Sequence, residues 1–256
     1  MHQRSRKLLL ATLLLGVQFP SSAQRVVHVV VALCDNANQG IVKVPAAIGN
    51  GQDAAHNLYW GAGYGVRTFF DRSADWIRQP CAGERAEHIL ERAVWKHRDS
   101  SVYIVADAYD GRFIRQATED LLLFASGGGA MPIPLKDRTL KAGGAADLVT
   151  YVGHDGLMDF NLERTYTAQD RRRREVIILA CASRNYFSEP LRKTGASPLL
   201  WTTHLMAPEA YTLHAALGQW VLRKPDSAVH EQAAQAYNKY QKCGINGARR
   251  LFATGW

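Results

Sequence analysis

The sequence predicts a three-layer α/β domain, in which helices cover both faces of a mostly parallel central sheet. Two observations carry this prediction. Short, continuous apolar runs rich in β-branched residues recur along the chain, and segments with apolar residues at helical spacing alternate with them. A chain of 256 residues, 47% of them hydrophobic, is long enough to bury one such core and too apolar to be disordered.

The first 23 residues have the pattern of an export signal. A basic start is followed by an apolar run at residues 8–17 and then by small residues up to Ala23. This run of ten residues falls well short of the ~20 that a membrane-spanning helix needs. We therefore predict cleavage after Ala23, a single domain over residues 24–256, a periplasmic or secreted location, and no membrane contact after cleavage.

The charge of the chain is moderately basic. Loss of residues 1–23 would lower the formal net charge from +8 to +5, because Arg4, Arg6 and Lys7 are removed with no acidic residue. Part of the remaining charge is the run of four arginines at 171–174, which is either an anion-binding surface or a solvated loop leading into a strand. Export argues against a nucleic-acid partner, and we predict none.

The order of predicted elements follows the hydrophobic pattern. Buried strands are predicted at 26–33, 101–107 and 197–206, and within the apolar runs 147–156 and 175–183. Helices or amphipathic segments are predicted at 66–77, 84–98, 112–125, 208–222 and 231–242, with Gly244 as the final C-cap. Residues 127–134 are predicted to form a flexible loop or lid.

Two of these strands end in residues capable of covalent chemistry. His154 lies just beyond the strand predicted within the run 147–156, and Cys181 lies just beyond the strand predicted within the run 175–183. In an open α/β sheet the carboxyl ends of the strands border the ligand crevice. If the two strands are parallel neighbours, the imidazole and the thiol share that crevice. The connection at 159–174 is near the minimum for a crossover that contains a helix.

The pair of His154 and Cys181 is a candidate cysteine-hydrolase dyad. A free thiol is only a few per cent thiolate at neutral pH, and a neighbouring imidazole raises that fraction and later donates a proton to the leaving group. The alternative is a structural Cys181 beside an unrelated histidine, because free cysteine often serves as a small buried hydrophobe.

The residues around this pair resemble a superfamily of cysteine peptidases that includes caspases, legumains, gingipains and clostripain. Residues 151–154 (Tyr-Val-Gly-His) and 179–183 (Leu-Ala-Cys-Ala-Ser) look like its two catalytic blocks. The resemblance covers roughly residues 100–205. It implies a caspase-like α/β/α sandwich and cleavage of a peptide or protein substrate. It further implies Cys181 as nucleophile, His154 as general acid/base, and the amides of Gly156 and Cys181 as oxyanion donors.

Five other residues are candidates for substrate binding. Asp35, Asp107 and Asp110 follow predicted strands, where a carboxylate could select a basic side chain; the alternative for Asp35 and Asp110 is a turn. Tyr59 and Trp60 belong to a segment at 39–65 rich in glycine and aromatic residues. That segment is predicted either to line a substrate site or to be an Ω-loop packed by its own aromatics.

The four cysteines leave a further alternative open. In an exported chain they can pair, and a disulfide between Cys34 and Cys181 would rule out the dyad. A second alternative is an inactive relative that binds peptides or glycans through Tyr59, Trp60 and Tyr64. His204 and His214 lack the spacing of a zinc site, so neither a metal nor a cofactor is expected.

Overall fold

The computed structural model describes residues 24–256. The predicted export signal at 1–23 lies outside the described residues. None of the helices in the described part of the chain has the length and apolar character required to cross a membrane.

Ten strands are described, eight of them in one sheet. In chain order they are β1 (Arg25–Ala32), β2 (Trp76–Gln79), β3 (Ile89–His97), β4 (Val102–Tyr109), β5 (Ala130–Pro134), β6 (Thr139–Gly143), β7 (Leu148–Val152), β8 (Glu175–Leu179), β9 (Ser197–Thr202) and β10 (Phe252–Ala253). The large sheet has the order β10-β9-β8-β7-β1-β4-β3-β2, and β5 and β6 form a separate hairpin. The five central strands, from β9 to β4, are parallel.

Six α-helices are described. They are α1 (Val66–Asp71), α2 (Ile114–Ala125), α3 (Ser183–Thr194), α4 (Ala210–Val221), α5 (Asp226–Gln241) and α6 (Ile245–Leu251). Because side chains alternate along a strand, β1 places Val27, Val29 and Val31 in a core with α1, α4, α5 and α6. Its Val26 and Val30 enter a second core with α2 and α3. The result is a three-layer α/β fold with a large, mostly parallel central sheet.

The helix predicted at 84–98 is wrong, because residues 89–97 of this segment form β3. It pairs antiparallel with β4 and with β2, so the sheet is extended on one side by two antiparallel strands. The helix predicted at 66–77 ends at Asp71, and Trp76 already belongs to β2. The chain between the parallel neighbours β1 and β4 therefore contains α1, β2 and β3 rather than a single covering helix.

Two smaller predictions also need correction. The loop predicted at 127–134 is a turn that leads into β5, where Gly127 and Gly129 adopt positive φ angles of 94° and 62°. The last predicted helix, α5, is closed by Lys242 in the left-handed conformation at φ 56°, and Gly244 instead precedes α6.

Candidate active site

The register of β7 and β8 brings His154 and Cys181 to the same end of the sheet. The two strands are parallel neighbours, and Val152 is the register partner of Leu179. His154 and Cys181 each follow two residues after that pair of partners. Equal offsets from paired residues place both side chains at the carboxyl edge, where ligands bind in open α/β sheets.

The connection between these strands contains no α-helix, unlike the crossover considered from the sequence. A short 3-10 helix at Gly156–Met158 is followed by an irregular segment that runs to β8. Arg174 fixes the end of this segment, since its buried guanidinium donates to Gly144 O at 2.6 Å and to Asp170 Oδ1 at 2.8 Å. Part of the arginine run at 171–174 is therefore bound within the protein.

His154 and Cys181 both line one cavity of about 610 Å³. Loop 35–65, which lies between β1 and α1 and contains the segment 39–65 named above, supplies one part of its wall, including Ile41, Val44 and Tyr59. Residues 205–209 supply another part. Pockets of this size commonly hold small ligands or a segment of a substrate. The sequence left open whether the segment at 39–65 lines a substrate site or packs on itself. In the structure its Tyr59 lines the cavity, whereas its Trp60 is fully buried.

Cys181 lies in a tight turn between β8 and α3. The residue after it, Ala182, has φ 48° and ψ 31°, a left-handed conformation that costs a non-glycine residue about 1 kcal/mol or more. Its Sγ accepts a hydrogen bond from Met206 N at 3.4 Å and donates one to Met206 O at 3.5 Å. Burial raises the pKa of the Cys181 thiol, although the Met206 N–H opposes this by stabilising the thiolate.

The imidazole of His154 is oriented by a carboxylate that the sequence did not single out. The Nε2 atom of the ring lies 2.9 Å from Asp159 Oδ2. The backbone carbonyl oxygen of His154 accepts a hydrogen bond from the Tyr151 hydroxyl at 2.8 Å. Asp159 also accepts a hydrogen bond from Gly40 N at 2.9 Å, which ties it to loop 35–65. Among the described residues the imidazole and the Cys181 thiol share a cavity without a hydrogen bond between them.

Gly156 lies away from the cavity. A side chain built on its α carbon would meet Thr118 Oγ1 of α2 at 2.6 Å and the ring of Phe160. Gly153, which precedes His154, lines the cavity instead. Gly156 is not among the described residues that line the cavity, and the role of its amide as an oxyanion donor stays a prediction.

Asp155 is a buried carboxylate beside the candidate dyad. Its Oδ1 accepts a hydrogen bond from Leu157 N at 3.0 Å, while its Oδ2 has no partner among the described residues. Burial raises the pKa of Asp155 to about 7. An unpaired ionised oxygen is costly in such surroundings, so the fold favours the protonated form.

Asp35 and Asp110 hold loops together rather than facing the cavity. Asp35 accepts hydrogen bonds from Ala37 N at 2.9 Å and from Gln52 Nε2 at 2.7 Å. Asp110 accepts from Gln52 Nε2 at 2.8 Å and from Arg112 N at 2.9 Å. Both are therefore turn residues, as the alternative prediction had them, and Gln52 bridges the two carboxylates.

Asp107 belongs to the core and is not accessible to a substrate. Its carboxylate is fully buried, and Arg92 of β3 donates to both of its oxygens at 2.6 and 2.7 Å. His28 Nε2 lies 3.3 Å from the same carboxylate. Burial alone would raise the pKa of Asp107, but these partners hold it below the ordinary value.

The two aromatic candidates, Tyr59 and Trp60, lie in different surroundings. Tyr59 lines the cavity, whereas Trp60 is fully buried and donates from Nε1 to Glu91 Oε2 at 2.5 Å. Tyr64 is about half exposed and packs edge-on against Tyr211 and Tyr240. The three aromatic residues therefore form no common binding surface, which removes the specific basis for glycan binding through this loop.

All four cysteines are free in the structure. Strand β7 lies between β1, which precedes Cys34, and β8, which precedes Cys181. Two interstrand spacings of about 4.8 Å separate strands so placed, whereas a disulfide needs α carbons within about 7 Å. The predicted alternative of a disulfide between Cys34 and Cys181 does not fit this sheet order.

Comparisons of this chain with protein families, curated proteins and solved structures find no match. Within residues 24–256, no three side chains of the metal-ligating types come together as a potential metal site.

Proposed function

We propose that the protein is an exported thiol hydrolase of the cysteine-peptidase type, with Cys181 as nucleophile and His154 as general acid/base. One observation carries the proposal: β7 and β8 are parallel neighbours in a register that delivers both side chains to one cavity. The N-terminal pattern supports export. The motifs around both residues, together with the three-layer fold, support a caspase-like or legumain-like relative acting on a peptide or protein.

The contacts of the site suggest the order of proton transfers. In the free protein the thiol is protonated, because burial raises its pKa. A substrate that enters the cavity excludes water and brings the two groups together, as in other sites that tighten on binding. The proton then passes from Sγ to His154, whose imidazolium is stabilised by Asp159.

Sγ then attacks the carbonyl carbon of the scissile amide, and a carbon–sulfur bond forms. The Cys181 N–H is the oxyanion donor that we retain from the sequence prediction. The carbon–nitrogen bond breaks as His154 gives its proton to the leaving amine. Water, deprotonated by His154, attacks the thioester, which releases the carboxylic acid and returns the proton to Sγ.

The direct test is hydrolysis of a peptide library by the chain from residue 24. Cys181→Ala and His154→Ala should each lower kcat by at least about 10³-fold. Cys243→Ala is the matched control, because Cys243 is an exposed free thiol that does not line the cavity, and it should leave kcat unchanged. Hydrolysis that survives Cys181→Ala would refute the proposal.

A second candidate is a catalytically inactive relative that binds peptides in the same cavity. The lack of a hydrogen bond between thiol and imidazole among the described residues, together with the raised pKa of Cys181, favours it. In that case His154→Ala would leave the reactivity of Cys181 unchanged, and no peptide would be cleaved. Binding without cleavage would therefore select this candidate.

A further inference from the structure

We propose that the cavity beside Cys181 selects a large, uncharged, apolar group of the substrate next to the bond that is cleaved. This inference names the substrate class and rests on the proposed hydrolase function. It departs from the expectation, drawn from the sequence, that aspartates select a basic side chain. Asp35, Asp107 and Asp110 are all engaged within the protein and lie outside the cavity.

The cavity wall is apolar on both sides. Loop 35–65 contributes Ile41, Val44, Ile48 and Leu58, and the segment after β9 contributes Met206 and Pro208. A charged side chain placed against such a wall would lose its hydration with little compensation, whereas an apolar side chain would gain about 25 cal/mol for each Å² buried. The wall therefore discriminates in favour of apolar groups.

Only one carboxylate and no lysine or arginine lines the cavity in the described part of the chain. That carboxylate, Glu209, already accepts hydrogen bonds from the Tyr211 hydroxyl at 3.0 Å and from Gln241 Nε2 at 3.2 Å. Burial raises the pKa of Glu209, which weakens it further as a partner for a cation. Among these lining residues, only a protonated His154 could form an ion pair with an acidic substrate group. Only Glu209 could form one with a basic group.

The mouth of the cavity carries large apolar side chains in water. Val42 is 90% exposed and Leu205 is 71% exposed, and they belong to two different loops; Met158 adds a third, partly exposed apolar side chain. Such exposed apolar groups around a concave surface are typical of sites that are covered by a ligand. A substrate with an apolar segment would cover all three residues.

The test compares peptides that differ only at the residue whose carbonyl is attacked: Phe, Leu, Lys and Asp. For the wild-type chain we expect kcat/KM for Phe or Leu to exceed that for Lys or Asp by at least about 100-fold. Leu205→Asp should lower kcat/KM for the apolar peptides by at least about tenfold and reduce this ratio. Leu222→Asp is the matched control, since Leu222 is also an exposed leucine but does not line the cavity.

Binding separates the inference from the proposed hydrolase function. The affinities of the same peptides for the Cys181→Ala variant are measured by fluorescence polarisation, which requires no turnover. Tighter binding of Phe and Leu peptides, weakened by Leu205→Asp but not by Leu222→Asp, supports the inference even if nothing is cleaved. The inference would be overturned by a preference for Lys or Asp, in cleavage or in binding, or by equal binding of all four peptides. The catalytic roles of Cys181 and His154 are tested separately, by the hydrolysis assay above.

Discussion

Asp159 Oδ2 lies 2.9 Å from His154 Nε2, so the proposed general acid/base is held by a carboxylate five residues farther along the chain. The short 3-10 helix at Gly156–Met158 folds the chain back and makes this contact. Among the described residues Asp159 makes no hydrogen bond to the thiol, so in the proposed mechanism it is a positioning residue. Its role resembles that of the third group that orients the base in other nucleophilic enzymes.

Asp159→Asn should lower kcat by about 10²- to 10⁴-fold with little change in KM. Asparagine can still accept the hydrogen bond from Gly40 N, but it stabilises neither the required tautomer nor the imidazolium of His154. Steady-state kinetics on an apolar peptide measure the effect. Asp137→Asn is the control, because Asp137 is an exposed carboxylate paired with its neighbour Arg138. A rise in KM at constant kcat would show that Asp159 binds substrate instead.

Asp107→Asn should destabilise the fold by about 3 to 5 kcal/mol, because it leaves the buried guanidinium of Arg92 without its anionic partner. Urea unfolding followed by tryptophan fluorescence measures the free energy of unfolding. Glu189→Gln removes an exposed partner of Lys193 and should cost less than about 1 kcal/mol. Equal effects of the two substitutions would contradict the structural role of Asp107.

The pH dependence of the same ion pair has a definite sign. The pKa of Asp107 is lowered in the folded protein, so its contribution to stability is present above the pKa of the unfolded chain. That contribution is lost as the pH falls through the folded value. The destabilisation caused by Asp107→Asn should therefore shrink as unfolding is measured at progressively more acidic pH.

Asp155 should show the opposite pH dependence. Burial raises its pKa from 3.8 to about 7, so its protonated form is favoured by folding and the wild type loses stability as the pH rises from about 4 to about 7. The free-energy cost of ionising this buried carboxyl in the folded protein is on the order of 4 kcal/mol. Asp155→Asn removes it, so the variant should gain stability relative to the wild type between pH 4.5 and pH 8 in urea unfolding. A difference that stays constant over this range would contradict the burial of an unpaired carboxyl.

Most of the parallel sheet could be predicted because its strands are apolar on both faces. In β1, every residue from Val26 to Ala32 is buried, His28 included, so a continuous run was a sufficient signal. The strand β3 was missed for a physical reason: its Glu91 and Arg92 gave the pattern of a polar helix face. In the fold Glu91 accepts a hydrogen bond from Trp60, and Arg92 donates one to Asp107. Neither partner can be recognised from the sequence around β3 alone.

The candidate site divides in the same way. The position of His154 and Cys181 at one edge of the sheet could be predicted, because each follows an apolar strand and the carboxyl ends of parallel strands meet at one edge. Asp159 could not be found, since its contact depends on the turn that follows His154. Asp35 and Asp107 do not line the cavity, for a related reason. Their positions after predicted strands do not reveal that Gln52 donates to the Asp35 carboxylate or that Arg92 donates to the Asp107 carboxylate.

Alkylation of Cys181 is the most direct test of the account. The rate of modification by iodoacetamide is measured across pH for the wild type and for His154→Ala, with the labelled cysteine located by peptide mass spectrometry. We predict that Cys181 reacts at least about tenfold more slowly in His154→Ala near neutral pH, while the exposed Cys243 reacts equally in both. Equal rates for Cys181 in the two proteins would show that the imidazole does not activate the thiol.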